Sequence, residues 1–241
     1  MKKLLLILML LPFIGIAQNN EKQIMTMTGF MVKEGHSAQF EDGVKKWKEC
    51  YVSNDGEGEW NMWKRVQGTG IMYGATSFMD KWAEMDEKDS AGKNCSAVFM
   101  NFIMPHVEKI KYDLSETIPD WNRKSERIQQ PKLAWVTYYD VKKDGAFNEI
   151  ISEVIETMKA TEGDSRAYWY NILGGGKEAS DYMVSTIYNS YADLDVKRDS
   201  PYEMYVKAKG EKKAKELSEK WYTAVSDSWS YIWEFLPELS N

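Results

Sequence analysis

Two stretches of the chain run through the same order of hydrophobic periods. Residues 25–33 (MTMTGFMVK) and 133–141 (LAWVTYYDV) are short and rich in β-branched, aromatic or sulfur-containing residues, and read as strands. Each leads into a longer segment, 37–52 and 145–160. In the second, Phe147, Ile150, Ile151, Val154, Ile155 and Met158 recur at helical spacing, which predicts an amphipathic helix. Ser37 and Asp144 stand where N-caps are expected. Turn-rich SNDGEGE (53–59) and TEGDSR (161–166) precede the strand-like WNMWKRV (60–66) and AYWYNIL (167–173). The loops QGTG (67–70) and GGGKEAS (174–180) then predict hairpins into residues 71–78 and 182–188. Helical regions follow at 79–108 and 190–227, with breaks expected near Ser90–Gly92 and at Pro201. Alternation of Ile110, Tyr112 and Leu114, and of Trp229, Tyr231, Trp233 and Phe235, predicts a closing strand in each stretch.

Laying KWAEMDEKDS (81–90) on SYADLDVKRDS (190–200) puts Trp82 on Tyr191 and Asp86 on Asp195. Order and spacing then carry Tyr73 onto Tyr182, Trp63 onto Tyr170 and Phe40 onto Phe147. The predicted unit is β-α-β-β-α-β, a ferredoxin-like arrangement occurring twice. The expected fold is therefore α+β: two tandem ferredoxin-like βαββαβ units whose antiparallel sheets pack into one pseudo-dimeric α/β barrel. The expected boundaries are 18–121 for the first unit, 122–132 for a charged linker and 133–241 for the second unit. A sheet face carrying Trp63, Trp169, Tyr170, Trp229 and Trp233 would be costly in water, and burying it against a second sheet returns ~25 cal/mol per Å².

The N-terminus joins a basic pair, Lys2 and Lys3, to an apolar run Leu4–Ile16, with Gly15 and Ala17 as small residues before Gln18. That is the pattern of a secretory signal peptide over residues 1–17, and it predicts an exported protein, periplasmic or extracellular. The apolar run is short for a spanning helix, so no membrane insertion is expected after cleavage. Removing residues 1–17 takes away two lysines and no acid, moving the formal charge from −6 to −8. So acidic a chain, whose longest basic cluster is the acid-interleaved KGEKKAK, argues against nucleic acid as a partner.

A tandem βαββαβ chain with an aromatic sheet resembles the dimeric α/β-barrel superfamily, which includes antibiotic-biosynthesis-monooxygenase-like and stress-responsive A/B-barrel proteins. The resemblance implies a monomer holding both halves of the barrel in one chain. Haem-degrading members use an Asn, a Trp and a His. Here the first strand offers Thr26 and Thr28 but no Asn, and the second unit has no His. In such a unit the two helices run antiparallel on one sheet face, which puts Cys50, late in the first, and Cys95, early in the second, at the same end. They are either a disulfide or two buried thiols.

Catalytic and metal motifs do not emerge. DGEGE (55–59) lacks calcium-loop spacing, GGGKEA (174–179) is not a phosphate loop, and no cofactor or metal is expected. What stands out is an aromatic and polar constellation of the kind that lines a small-molecule site: Trp63, Arg65 and Tyr73 in the first unit, Trp169, Asn171 and Tyr182 in the second. His106 is added as one of two histidines; its partner His36 reads as a surface-loop residue. Arg65 and Asn171 are the most telling members, because burying either without a partner is expensive. The leading expectation is a non-catalytic protein holding a small apolar or aromatic ligand between sheet and helices. One alternative is a cofactor-independent monooxygenase-like or isomerase-like enzyme. Another is a cell-envelope interaction module whose pocket is filled by side chains.

Overall fold

The structure, a computed structural model, describes residues 22–125 and 131–241. The expected signal peptide and the middle of the expected linker lie outside the described residues. The first half contains β1 (Ile24–Val32), α1 (Ser37–Ser53), β2 (Asn61–Arg65), β3 (Ile71–Met79), the short helices α2 (Ser90–Asn94) and α3 (Ser96–Val98), and β4 (Val107–Thr117). The second contains β5 (Leu133–Val141), α4 (Asp144–Glu162), β6 (Tyr168–Gly174), β7 (Tyr182–Tyr188), α5 (Pro201–Lys209), α6 (Glu211–Ala224) and β8 (Val225–Phe235).

The eight strands form one closed antiparallel barrel in the order β1-β3-β2-β8-β5-β7-β6-β4. Each half contributes four neighbouring strands in the same order, β4-β1-β3-β2 and β8-β5-β7-β6, and the halves meet at two seams, β2–β8 and β4–β6. Closure leaves no strand edge to be covered. The registers also correspond. Tyr73 pairs with Phe30 and Lys64, and Tyr182 pairs with Tyr139 and Asn171.

Helices cover the outer face. On the first half, α1 sets Phe40 and Val44 against Phe30, Met62 and Tyr73. On the second, α4 and α6 set Phe147, Ile151 and Trp221 against Trp169 and Tyr182. Phe40 lies 4.6 Å from the Tyr73 ring, and Phe147 lies 4.6 Å from the Tyr182 ring. Each tyrosine hydroxyl is satisfied by a carboxylate of the covering helix, that of Glu41 just after Phe40 in α1 and that of Asp144 at the first position of α4. Tyr73 donates to Glu41, and Tyr182 donates to Asp144 at 2.5 Å. Asp144 is thus the first residue of α4 rather than its cap, because its carboxylate is engaged by Tyr182 and by Asn148 at 3.0 Å.

The two long helical regions are more broken than periodicity predicts. The two stretches aligned in the sequence, Trp82–Asp86 and Tyr191–Asp195, are both 3₁₀ turns. In each, an acid folds back onto the preceding backbone: Glu84 accepts the N–H groups of Asp80 and Lys81 at 2.9 Å, and Asp193 accepts those of Asn189 at 2.8 Å and Ser190 at 3.2 Å. These acids cap the turns. Gly210, at φ 86°, separates α5 from α6. Strands β4 and β8 start before the predicted 110 and 229, at Val107 and Val225. Cys50 and Cys95 are joined in a disulfide with Cα atoms 5.9 Å apart, tying the end of α1 to the C-terminus of α2. No helix among the described residues is long and apolar enough to cross a membrane.

Candidate ligand cavity inside the barrel

Alternate residues on each strand point into the barrel, and there they enclose a cavity of about 390 Å³. The side chains that create it differ between the halves. On β1 and β3, Gly29 and Gly74 face inward directly opposite one another. At the matching places on β5 and β7 stand Tyr138 and Met183, also directly opposite one another. One wall is therefore stripped of side chains where the other is bulky. A Cβ at Gly29 would make only ordinary contacts, 3.6 Å from Met72 and 3.8 Å from Lys111. A Cβ at Gly74 would lie 3.4 Å from the Trp233 ring, which packs over that bare backbone.

The closing strands differ as well. β4 presents Lys111 and Asp113 to the lumen, whereas β8 presents Trp229, Tyr231 and Trp233. Tyr138 stacks on Trp229 with ring centres 5.7 Å apart and planes within 13°. The lumen thus has a polar side, an aromatic side and a glycine hollow, the make-up of a small-molecule site.

Arg65, at the end of β2, reaches this space from the seam. One guanidinium nitrogen donates to the carbonyls of Thr69 and of Gly70, the latter at 3.1 Å, and the guanidinium carbon lies 4.7 Å from the centre of the Tyr231 ring. Gly68, at φ 103°, makes room for it: a Cβ there would meet Tyr231 at 3.0 Å and Arg65 at 3.3 Å. Arg65 Nε is buried without a hydrogen-bond partner, and so is Trp233 Nε1. Burial, reinforced by Tyr231 and Asp113, pushes the Tyr138 hydroxyl far above the usual phenol range; Trp233 and Arg65 nearby only partly offset this. The Trp233 N–H lies near that hydroxyl without reaching hydrogen-bonding geometry. Burial also raises the Asp113 carboxyl, against the opposing pull of Lys111 and of the Gly176 backbone N–H.

Of the residues expected from sequence, Trp63 and Arg65 line the lumen. Tyr73, Trp169 and Tyr182 lie on the opposite face, under the helices, and Asn171 shares that outward phase on β6. Trp169 stacks on Tyr139 at 5.8 Å and meets Trp121 edge-on at 5.5 Å, inside a filled aromatic core. The cavity is therefore within the barrel, not between sheet and helices. His106 immediately precedes β4, and its Nδ1 is 2.9 Å from that of His36. Neither histidine lines the lumen, so these residues do not fit a haem held there through histidine. Missed from sequence were Gly29, Gly74, Asp113 and Tyr138. Their signal was available as the mismatch between equivalent strand positions, Gly29 against Tyr138 and Gly74 against Met183. Among the described residues no group of three or more His, Cys, Asp or Glu is placed to hold a metal ion.

No protein-family model and no curated protein sequence matches the chain. Solved structures do. A candidate monooxygenase of Fusobacterium nucleatum is similar with a TM-score of 0.56 at 17% identity, over 90% of this chain and 93% of that one. A candidate monooxygenase of Lactobacillus acidophilus gives 0.54 at 14% identity, over 89% and 94%. An anthrone oxidase-like protein gives 0.55 at 9% identity, over 89% and 91%. At such identities the likeness is one of fold: a mixed α+β chain closed into an eight-stranded antiparallel barrel, similar over nearly its whole length to monooxygenase-like structures.

Proposed function

We propose that this chain is an exported, non-catalytic binding protein that holds one small apolar or aromatic molecule inside a tandemly duplicated ferredoxin-like barrel. The observation that carries the reading is the lumen itself: about 390 Å³ lined by residues of all eight strands, tryptophan, tyrosine and methionine prominent among them. An apolar molecule entering it leaves water at ~25 cal/mol per Å² without disturbing the outer cores. The repeated strand order and the matching Phe40–Tyr73 and Phe147–Tyr182 contacts support the duplication, with units 18–121 and 133–241 around the linker 122–132. Export accords with the N-terminal pattern and with the Cys50–Cys95 disulfide, a bond that persists in oxidising compartments. An open lumen weighs against an interaction module with a filled pocket.

Native mass spectrometry of mature protein recovered from the cell envelope is expected to show a retained small molecule. Saturating it with a matching aromatic, at about a hundred times Kd, should raise Tm by roughly 5–10 °C. A mature protein that carries nothing, and whose Tm no member of a broad aromatic panel moves, contradicts the reading.

One observation favours a second reading. Asp113 is a carboxylate in an aromatic cavity with its proton affinity raised, the setting of a general base. Proteins of similar fold are named as monooxygenases and as anthrone oxidase-like. Oxygen uptake with anthrone that is lost in Asp113→Asn would establish catalysis and overturn the non-catalytic part of the proposal. No uptake above the uncatalysed rate is the result our reading expects.

A further inference from the structure

The two seams of the barrel bring equivalent strand positions together, and their charges do not match. At the β2–β8 seam Arg65 stands against Tyr231, its guanidinium carbon 4.7 Å from the ring centre. At the β4–β6 seam the equivalent positions hold Ile172 in place of Arg65 and Asp113 in place of Tyr231. One seam therefore sets its own cation on an aromatic ring. The other turns a carboxylate to the cavity, with an apolar residue where the first seam has the cation.

Asp113 is half-buried, and among the described residues no lysine or arginine forms an ion pair with it. Lys111, one inward position away, is exposed and acts on it only through longer-range charge. The β6–β7 hairpin packs onto the carboxylate: a Cβ at Gly175 would lie 2.1 Å from its Oδ1, and the Gly176 N–H supports its charge. A carboxylate accepts at roughly four positions, and a single N–H fills one of them. β4 stands opposite β8 in the ring of strands, and the charge of Asp113 reaches Tyr138, which stacks on Trp229. The glycine hollow adjoins the same carboxylate, since Gly29 pairs with Lys111.

A neutral molecule filling this lumen would strip water from the carboxylate and return nothing, and a charge desolvated without a partner is expensive. A cation pairs with the carboxylate and is also attracted by the faces of the surrounding rings. Resting on the lumen as the binding site, we infer that its ligand is an aromatic ammonium compound, whose ring occupies the glycine hollow and whose protonated alkyl amine lies between the Asp113 carboxylate and the aromatic wall of β5 and β8. Recognition then has two parts. The hollow supplies area, and Asp113 supplies the choice between an ammonium and a neutral molecule of the same shape.

The test uses two probes of nearly the same shape, 2-(1-aminoethyl)naphthalene, cationic at neutral pH, and neutral 2-acetylnaphthalene. Equilibrium dialysis against the mature full chain is run at about 0.15 M salt, where charges outside the lumen are screened. The wild type is expected to bind the amine about tenfold more tightly or better. Asp113→Asn should bring that ratio to within about threefold by weakening the amine, with near-UV circular dichroism confirming the fold. Should Asp113→Asn fail to fold, Lys111→Met takes its place. Removing the neighbouring cation should raise the ratio about threefold further, and an unchanged or smaller ratio overturns the inference. A wild type that binds both probes equally, or a ratio that survives in folded Asp113→Asn, overturns it while leaving the lumen as a binding site. A wild type that binds neither probe overturns both.

Discussion

At the scale of single residues, the structure distinguishes tyrosines that fill cores from those that face the lumen. Tyr182 and Tyr139 on the outer face are both pushed up to about 12. For Tyr182 the cause is burial first and then the Asp144 carboxylate that accepts its hydrogen bond; for Tyr139 it is burial alone. A phenol whose folded value lies above its unfolded value of about 10 stabilises the fold fully below pH 10. That stability is lost as pH rises from about 10 through about 12. Stability should therefore hold level up to about pH 10 and then fall, with tyrosinate absorbance from these residues developing only as the protein unfolds. A smooth titration of all fourteen tyrosines near pH 10 in protein that stays folded would contradict this. Much of the residue-level detail is legible in sequence where it repeats: Phe40 and Phe147, Tyr73 and Tyr182. What is not legible is which face of a strand receives the helices. Trp63 and Trp169 both read as sheet aromatics, yet one lines the lumen and the other an outer core, because their strands present opposite phases at those positions.

At the scale of elements, both outer cores are organised around one phenylalanine on the covering helix. Phe147 is fully buried and meets the rings of Tyr182, Trp221 and Tyr139 at 4.6, 5.8 and 5.7 Å. Phe147→Ala should cost about 3–5 kcal/mol in chemical denaturation, since four-square aromatic packing collapses poorly around the void. A loss below 1 kcal/mol would mean that α4 is not held by this contact. The disulfide acts on a different element. It closes the chain between residues 45 positions apart and fastens the fragmented segment that follows α2. The double variant Cys50→Ser, Cys95→Ser should lose about 2–4 kcal/mol. Its increase in amide hydrogen exchange should be largest over residues 90–106, and a uniform increase across the barrel would contradict that placement. Periodicity identified α1, α4 and the strands well because each buries one face. It overran in the second helical regions because local bonding decides there: acids capping 3₁₀ turns, and Gly210 ending α5, leave no mark on hydrophobic spacing.

At the scale of the whole molecule, two halves of the same strand order enclose a space that neither would enclose alone. The outer cores share a central Phe–Tyr contact, Phe40 on Tyr73 and Phe147 on Tyr182, and the halves diverge sharply in the lumen. Glycines face Tyr138 and Met183 across the barrel's own symmetry of order, and Lys111 and Asp113 on β4 replace Trp229 and Tyr231 on β8. A merely structural barrel interior gains stability by being filled. One hollowed on a single wall is what a ligand site requires, and the comparison of equivalent positions exposes it. The element order and the aromatic interior were readable from the chain. The hollow was not, because a glycine in a strand carries no hydrophobic signal and its consequence depends on the residue across the ladder.

The central claim, that this lumen is the binding site, is tested most directly by filling the hollow. Gly29→Leu adds its Cβ into ordinary contact and directs the remaining side chain into the lumen, so the fold should be kept and Tm held or raised. Equilibrium dialysis with 2-acetylnaphthalene should then show saturable binding to the wild type and a loss of at least about tenfold in the variant. Equal binding by a folded Gly29→Leu protein would place the ligand elsewhere and contradict the account.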